Sequence, residues 1–248
     1  MELGIAGKRA AVAGASAGLG LATARALALE GAEVVICGRD AARIQAAAAL
    51  VGYGCVPLVL DVGSADGGAA FVAAATEVMG GVDILIANAG GPPAGTFAST
   101  DVDLYQTGLD LNLLSVVGMC KAAIPAMQER KWGRVVAITS IAVRQPIPTL
   151  ILSNTARAGV TGFLKTVARE VAHDGVTVNT VQPGLHLTAR VTQLYGHTPD
   201  AAAMGIPAGV IGDPDDFGHI VTFLCSDHAK FVTGVQMHVD GGAYGGLL

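Results

Sequence analysis

The first residues that could do chemistry are three glycines near the amino terminus, Gly14, Gly18 and Gly20, at the spacing GxxxGxG. They follow an apolar run and precede an alanine- and leucine-rich stretch, which places them at a strand-to-helix junction. Without Cβ atoms, such a turn can bring backbone amides against a diphosphate, which the positive end of the following helix also favours. An ordinary strand-to-helix turn is the alternative. A complete βαβ unit around the turn favours a dinucleotide site instead, with Ser16 and Leu19 as further contacts.

The residues after the second predicted strand bear on which dinucleotide binds. A carboxylate there would accept a hydrogen bond from the ribose 2′-hydroxyl and repel a 2′-phosphate. Here Gly38 leaves space and Arg39 offers a planar, bidentate donor for a phosphate. The pattern favours NADP(H) over NAD(H). The alternative is that Arg39 lies over the adenine or points to solvent, while Asp40 binds the ribose.

The elements that must position these residues follow from the apolar pattern. Strand-like runs alternate with helical stretches along the whole chain, which is typical of a parallel sheet with crossover helices. The predicted strands are 9–13, 33–37, 55–60, 84–87, 134–139, 177–182 and 236–239. Helices are predicted to begin near Gly18, Ala41, Ala65, Asp101, Ser153 and Asp215, several beside an Asp or Ser that can cap them. Right-handed crossovers then give one α/β domain over 1–248, a Rossmann-type doubly wound sheet of about seven strands with helices on both faces.

Composition narrows the class of protein. A hydrophobic share of 52% with 14% charged residues and 34 glycines favours a large aliphatic core and excludes disorder. The net charge of -5, without any run of Lys and Arg, argues against a nucleic-acid partner. The start of the chain lacks a basic region followed by a long apolar one, and later apolar runs are shorter than the roughly 20 residues of a membrane span. We therefore expect no membrane association and a cytoplasmic location.

The cysteines and histidines give no pattern of metal ligation. The four cysteines are far apart in apolar segments, where cysteine usually acts as a small core residue. His219, His228 and His238 have no ligand spacing with one another or with Cys225. We expect no metal site.

Further motifs follow the glycine turn in order, and together they resemble the short-chain dehydrogenase/reductase family of classical type, in particular its 3-oxoacyl-acyl-carrier-protein reductases. These motifs are Asp61-Val62, Asn88-Ala89-Gly90, Pro183-Gly184 with Thr188, and Val239-Asp240-Gly241-Gly242. The resemblance implies that Asp61 and Val62 contact the adenine. It also implies that Asn88, Ala89 and Gly90 end the fourth strand, and that the loop from Pro183 through Gly184 to Thr188 holds the nicotinamide carboxamide.

The resemblance also implies a catalytic group, and here the chain departs from the family pattern. Family members use a Ser that binds the substrate oxygen, an Asn that holds a relay water, a Tyr that transfers the proton and a Lys that lowers the pKa of that Tyr. Ser140 matches the Ser and Asn112 the Asn. The spacing places Ser153 where the Tyr should stand and Arg157 where the Lys should stand. A serine hydroxyl is a much weaker acid than a phenol, whereas Arg157 could still bind the ribose and stabilise a developing alkoxide.

Three interpretations of this departure remain open. In the first, the protein transfers a hydride between the nicotinamide and a carbonyl or alcohol substrate, with the proton supplied by His186, Tyr195, His197 or a water held by Ser140 and Ser153. His186 lies in the predicted nicotinamide loop, and imidazole titrates near neutrality. The alternative is a surface histidine whose side chain points away from the nicotinamide ring. In the second, the site does different chemistry or reduces a substrate that needs little acid help. In the third, the protein binds NADP(H) without turnover, as a sensor or oligomer partner. Retention of the Ser and Asn favours the first.

Two regions bear on substrate and assembly. The stretch 187–213 has weak periodicity with Gly, Pro, His and Tyr, so we predict a substrate lid. The predicted helices over 101–130 and 153–173 carry apolar residues on more than one face, which favours subunit contact. The family resemblance implies a homotetramer formed from these helices and the C-terminal segment.

Overall fold

The structure is a computed structural model that describes residues 1–247. Its centre is one sheet of seven strands, all parallel, in the order β3-β2-β1-β4-β5-β6-β7. The strands are β1 Arg9–Val12, β2 Glu33–Gly38, β3 Val56–Val59, β4 Ile84–Ala87, β5 Gly133–Ile138, β6 Val176–Pro183 and β7 Gln236–Val239. The chain order reverses direction between β1 and β4, which is where doubly wound sheets open a ligand crevice. The predicted Rossmann-type α/β fold is confirmed.

Helices cover both faces of this sheet. They are α1 Gly18–Leu29, α2 Ala41–Val51, α3 Ala65–Met79, α4 Asp103–Leu109, α5 Ser115–Glu129, α6 Ile151–Val171, α7 Ala189–Tyr195 and α8 Pro214–Leu224. A π-helical turn, Asp110–Leu114, joins α4 to α5, and 3₁₀ turns lie at Ile141–Val143 and Ala172–Asp174.

The core consists of two aliphatic layers, one on each face of the sheet. Because successive side chains of a strand point to opposite faces, Ala11 packs with the layer of α3, α5 and α6, and Val12 packs with the layer of α1, α2 and α8. Phe71 of α3 and Phe217 of α8 are fully buried in these two layers. Helices thus cover both faces of the sheet, which leaves the ends of its strands accessible to a ligand.

The predicted boundaries differ from the observed ones in a few places. Strand ends shift by at most one residue, and α6 begins at Ile151 instead of Ser153. The predicted lid over 187–213 contains the helix α7, which its weak periodicity did not indicate. Side-chain caps do occur where Asp or Ser precedes a helix: Asp40, Ser64 and Asp213 accept bonds from amides of the first turns of α2, α3 and α8.

The expectation of no long apolar segment needs one correction. The continuous helix Asp103–Glu129 has 27 residues and a mean hydropathy of 1.3 over its most apolar stretch, enough by length and composition to cross a membrane. Its α5 part packs tightly on α3, since a Cβ at Gly118 would collide with the Ala65 carbonyl oxygen. Met119 of α5 is fully buried. This helix is apolar because it covers the sheet.

Candidate active site

The functional residues meet at the carboxyl edge of the sheet, around one cleft of about 940 Å³. Parallel strands all end at this edge, so the loops after β1, β4, β5 and β6 converge there. The cleft brings together most of the residues that the sequence predicts: Gly14, Gly18, Leu19, Gly20, Asn88, Ala89, Gly90, Ser140, Ser153, Arg157, Pro183, Gly184, His186 and Thr188.

The glycine turn between β1 and α1 has the geometry that a diphosphate needs. Gly14 and Gly18 have φ of +59° and +61°, which L side chains rarely adopt. A Cβ at Gly20 would lie 2.6 Å from the Gly14 carbonyl oxygen and 2.8 Å from the Asn88 side-chain nitrogen. That Asn88 amide donates to the carbonyls of Ala13 and Gly14 and so fixes the turn. No side chain of the described residues caps α1, so its first amides are available to an anion.

The loop after β2 lies beside this turn. A Cβ at Gly38 would lie 3.2 Å from the Ser16 Cβ, so these two residues are neighbours, as a nucleotide ribose site requires. Arg39 is 79% exposed, and its Nη1 lies 4.0 Å from the Asp61 carboxylate. Asp61 accepts a bond from the Gly63 amide, and Val62 is buried. Arg39 and Asp61 flank the cleft instead of lining it.

Asp40 has a structural task in this loop. Its carboxylate accepts a bond of 2.9 Å from the Arg43 backbone amide and caps α2. Arg43, one turn after Arg39, lines the cleft, and the sequence analysis missed it. The signal in the sequence was the spacing of Arg39 and Arg43, which lie four residues apart on either side of a predicted helix start.

The end of the cleft that holds the predicted catalytic residues is formed by β5 and α6. Ser140 follows β5, and its Oγ accepts a bond from the Ala142 amide at 3.1 Å. Arg157 Nε donates to Ser153 Oγ at 3.1 Å, and Arg157 Nη1 donates to the Ile138 carbonyl at 3.0 Å. The first bond lies along one face of α6, where residues four apart are neighbours, and the second attaches α6 to the end of β5.

Arg157 carries a positive charge in a protected position. Burial, and secondarily the positive charge of Arg190, lowers the pKa of the Arg157 guanidinium to about 10. The group therefore stays protonated at neutral pH. A cation bonded to one hydroxyl, with a second hydroxyl in the same cleft, can stabilise negative charge that develops on a substrate oxygen.

Asn112 lies behind this group, in the π-helical turn between α4 and α5. Its side-chain nitrogen donates to the Gly90 carbonyl at 2.9 Å, whereas its buried oxygen has no partner among the described residues. A buried acceptor of this kind needs a donor, such as a water molecule. Single π turns of this type are frequent at functional sites.

His186 is packed against the protein instead of lying free on the surface. It is 4% exposed, with Nδ1 3.2 Å from the Gly184 carbonyl oxygen and its ring edge-on to Phe217 at 5.1 Å. Burial lowers the pKa of His186 below its usual value, so the imidazole is neutral at pH 7. The surface position assumed in the alternative is wrong, since Phe217 of α8 and Gly184 after β6 lie against the ring.

The loop after β6 spans the mouth of the cleft. Gly184 packs so closely on the segment after β7 that a Cβ would lie 2.8 Å from Asp240 Cα. Thr188 reaches the glycine turn, with its Cγ2 3.5 Å from where a Gly18 Cβ would lie. Arg190 Nη2 donates to the Pro92 carbonyl at 3.2 Å and lines the cleft. Arg190 was not predicted from the sequence because no motif marks it.

Comparison with known proteins agrees with this geometry. Residues 14–244 match the family described as Enoyl-(Acyl carrier protein) reductase. The chain is 35% identical over 242 residues to the 3-oxoacyl-[acyl-carrier-protein] reductase FabG of Vibrio cholerae serotype O1, covering 98% of this chain and 99% of that protein. The chain belongs to the short-chain dehydrogenase/reductase family. It is therefore a member of a family of oxidoreductases, as the ordered motifs predicted.

Two solved short-chain dehydrogenase/reductase structures are especially informative. The L-sorbose reductase of Gluconobacter frateurii, complexed with NADPH and L-sorbose, has a TM-score of 0.92 at 30% identity, with all of both chains covered. The NADPH-bound short chain oxidoreductase of Pseudomonas aeruginosa PAO1, described as containing an atypical catalytic center, has a TM-score of 0.89 at 30% identity, covering 97% of this chain and 99% of that one. Both similarities extend over the cleft described above.

Proposed function

We propose that the protein is an NADP(H)-dependent oxidoreductase that transfers a hydride between the nicotinamide and a carbonyl or alcohol substrate. The observation that carries this proposal is the convergence in one cleft of the glycine turn with Ser140, Ser153 and Arg157. A turn shaped for a diphosphate and a cation-backed pair of hydroxyls are the two parts that such a reaction needs.

Three features beside the end of β2 support NADP(H) over NAD(H). Arg39 is exposed, Arg43 lines the cleft, and the Asp40 carboxylate is engaged in capping α2. A 2′-phosphate would meet two guanidinium groups here, and it would compete with the Asp61 carboxylate, 4.0 Å away, for Arg39. The NADPH complexes of the two similar structures agree with this preference.

The proposed mechanism uses Ser153 and Arg157 in the places of the family's Tyr and Lys. The bound dinucleotide supplies or accepts the hydride. Ser140 Oγ donates to the substrate oxygen. Because Ser153 Oγ accepts its bond from Arg157 Nε, the Ser153 hydroxyl proton is free to donate into the cleft. Because serine is a weak acid, the substrate alkoxide would stay unprotonated for longer. The positive charge of Arg157 would stabilise this alkoxide.

The proton itself is proposed to come from solvent along Asn112. Its unpartnered oxygen, in the π-helical turn before α5, can hold a water molecule. His186 is the second candidate donor. Its Nδ1 lies against the Gly184 carbonyl oxygen. We favour Ser140 and Ser153 over His186 because Arg157 donates to the Ser153 hydroxyl.

The predicted lid and tetramer remain part of the proposal. Arg190, Tyr195 and Met204 of 187–213 line the cleft, as residues of a substrate lid should. Around α4 and α5, Val102 is 83% exposed and Leu104 41% exposed, an apolar surface that a homotetramer would cover. We propose the whole chain as a single catalytic domain.

The test is NADPH consumption by the purified protein with a panel of ketones, 3-oxoacyl thioesters and quinones. Turnover of a carbonyl is expected, and Arg157→Met should lower its kcat/KM on the order of 100-fold by removing a charged donor. Arg169→Met, an exposed arginine on the same helix, is the matched control and should keep full activity. NADPH binding without turnover across the panel would contradict the proposal and favour a sensor or oligomer partner.

A further inference from the structure

The charges that line the cleft are of one sign. Arg43, Arg157 and Arg190 line it, whereas no Asp or Glu among residues 1–247 does, although the chain as a whole has a net charge of -5. A cleft lined by one sign of charge attracts ligands of the other sign. Its occupants should therefore be anionic along its whole length.

The cofactor accounts for only part of this positive charge. Arg43 lies at the start of α2, beside the β2 loop that a 2′-phosphate would occupy. Arg157 and Arg190 are at the opposite end. Arg190 Nη2 donates to the Pro92 carbonyl, and a Cβ at Gly91 would lie 3.2 Å from the same nitrogen. The Arg190 guanidinium therefore lies past the end of β4, on the side where the reacting groups are.

Neither of these two arginines has a carboxylate partner. Within the described part of the chain, no Asp or Glu lies within 4.0 Å of either guanidinium. Arg157 donates to one hydroxyl and one carbonyl, and Arg190 donates to one carbonyl, which leaves further N–H groups for a ligand. The positive charge of Arg190 also contributes to the lowered pKa of Arg157, so the two groups repel each other.

We propose that the substrate is an oxo acid, reduced to the corresponding hydroxy acid, and that Arg190 binds its carboxylate. This inference rests on the proposed oxidoreductase function. The carbonyl oxygen would face Ser140 and Ser153, with the carboxylate directed toward α7. A hydride passes from NADPH to the carbonyl carbon, a proton passes to the oxygen, NADP⁺ leaves, and the carboxylate is unchanged. Arg190 is thus a residue that determines specificity, since a bidentate Arg–carboxylate pair selects the acid over neutral analogues.

The diphosphate of the cofactor is the rival anion for Arg190. Thr188, two residues earlier, reaches the glycine turn, whereas Arg190 donates to Pro92 after β4 and lies close enough to Arg157 for its charge to act on that guanidinium. This position favours the substrate as the partner of Arg190. The two sources predict different effects of Arg190→Gln, on the acid in one case and on NADPH in the other.

The experiment measures binding to the protein saturated with NADP⁺, which has no hydride to transfer. The probes are 2-oxobutanoate, 3-oxobutanoate and 4-oxopentanoate, each compared with its amide by calorimetry. At least one acid should bind about tenfold more tightly than its amide, and Arg190→Gln should remove that preference while leaving the NADPH Kd unchanged. Arg169→Gln is the matched control and should retain the preference.

Two results would overturn the inference. One is equal binding of all three acids and their amides. The other is an Arg190→Gln protein that keeps the acid preference and binds NADPH about tenfold more weakly, which would assign Arg190 to the diphosphate. Acid-selective binding that depends on Arg190 but never gives turnover with NADPH would support the carboxylate site and contradict the oxidoreductase proposal.

Discussion

Charged side chains are arranged differently at the amino edge of the sheet, where the strands begin, and at the carboxyl edge, where they end. At the amino edge, Asp83 before β4 accepts bonds from Arg9 Nε and Nη2, both at 2.7 Å, and Arg130 Nε lies 3.3 Å away. Arg134 is only 2% exposed and pairs with Asp227 at 3.5 Å. At the carboxyl edge, the arginines of the cleft have no carboxylate partners among the described residues.

This contrast separates stability from function. The ion pairs at the amino edge hold strand ends together and leave few charged groups available to bind a ligand. Charges without partners at the carboxyl edge gain their counter-ions only when a ligand binds. Substitutions at the two edges should therefore change different observables, unfolding in one case and binding in the other.

The largest effect is expected from Gly20→Ala in the glycine turn. The new methyl group would lie 2.6 Å from the Gly14 carbonyl oxygen and 2.8 Å from the Asn88 nitrogen, so the turn must open. Misplacement of the diphosphate cradle should weaken NADPH binding on the order of 100-fold, measured by calorimetry. Gly162→Ala on α6 is the control, because a Cβ there meets nothing within 4 Å. An unchanged NADPH Kd for Gly20→Ala would contradict the assignment of the turn.

A smaller effect, on stability alone, is expected from Asp83→Asn at the amino edge. Burial opposes ionisation of Asp83, but the hydrogen bonds and charge of Arg9, with the charge of Arg130, lower its pKa below the usual range. The substitution should lower the free energy of unfolding by about 2 kcal/mol at pH 7. NADPH binding should be unchanged.

The pH dependence of this difference has a definite sign. A lowered pKa in the folded state stabilises the protein fully above the ordinary carboxyl pKa of about 3.9, and this contribution is lost as the pH falls from there through the folded-state pKa. The stabilities of Asp83→Asn and the unsubstituted protein, measured by urea unfolding, should therefore begin to converge below about pH 4 and converge fully only below the folded-state pKa of Asp83. A difference that persists unchanged in acid would refute the ionic origin.

The smallest effect is expected from Arg39→Ala beside the ribose site. Loss of one exposed guanidinium should weaken NADPH by about tenfold and leave the NADH affinity nearly unchanged, measured by titration with each dinucleotide. Asp40→Asn keeps a capping side chain on α2 and removes the carboxylate. A fall in NADH affinity for Asp40→Asn would show that Asp40 binds the ribose, against the proposed NADP(H) preference.

The fold and half of the cleft are predictable because their signals are local. Gly14, Gly18 and Gly20 encode their turn directly, and alternating apolar runs encode a buried parallel sheet. The other half depends on contacts between distant segments. His186 is enclosed by Phe217 and Gly212, which no local pattern connects to it. Arg190 lies on α7, whose polar sequence has weak periodicity, so neither the helix nor its guanidinium was predicted.

The account depends on a pyridine dinucleotide that binds at the carboxyl edge, and calorimetric titration of the purified protein with NADPH and then NADH tests this most directly. We predict one site per chain, saturable by NADPH in the micromolar range and about tenfold weaker for NADH. No heat of binding from either dinucleotide at millimolar concentration would contradict the account.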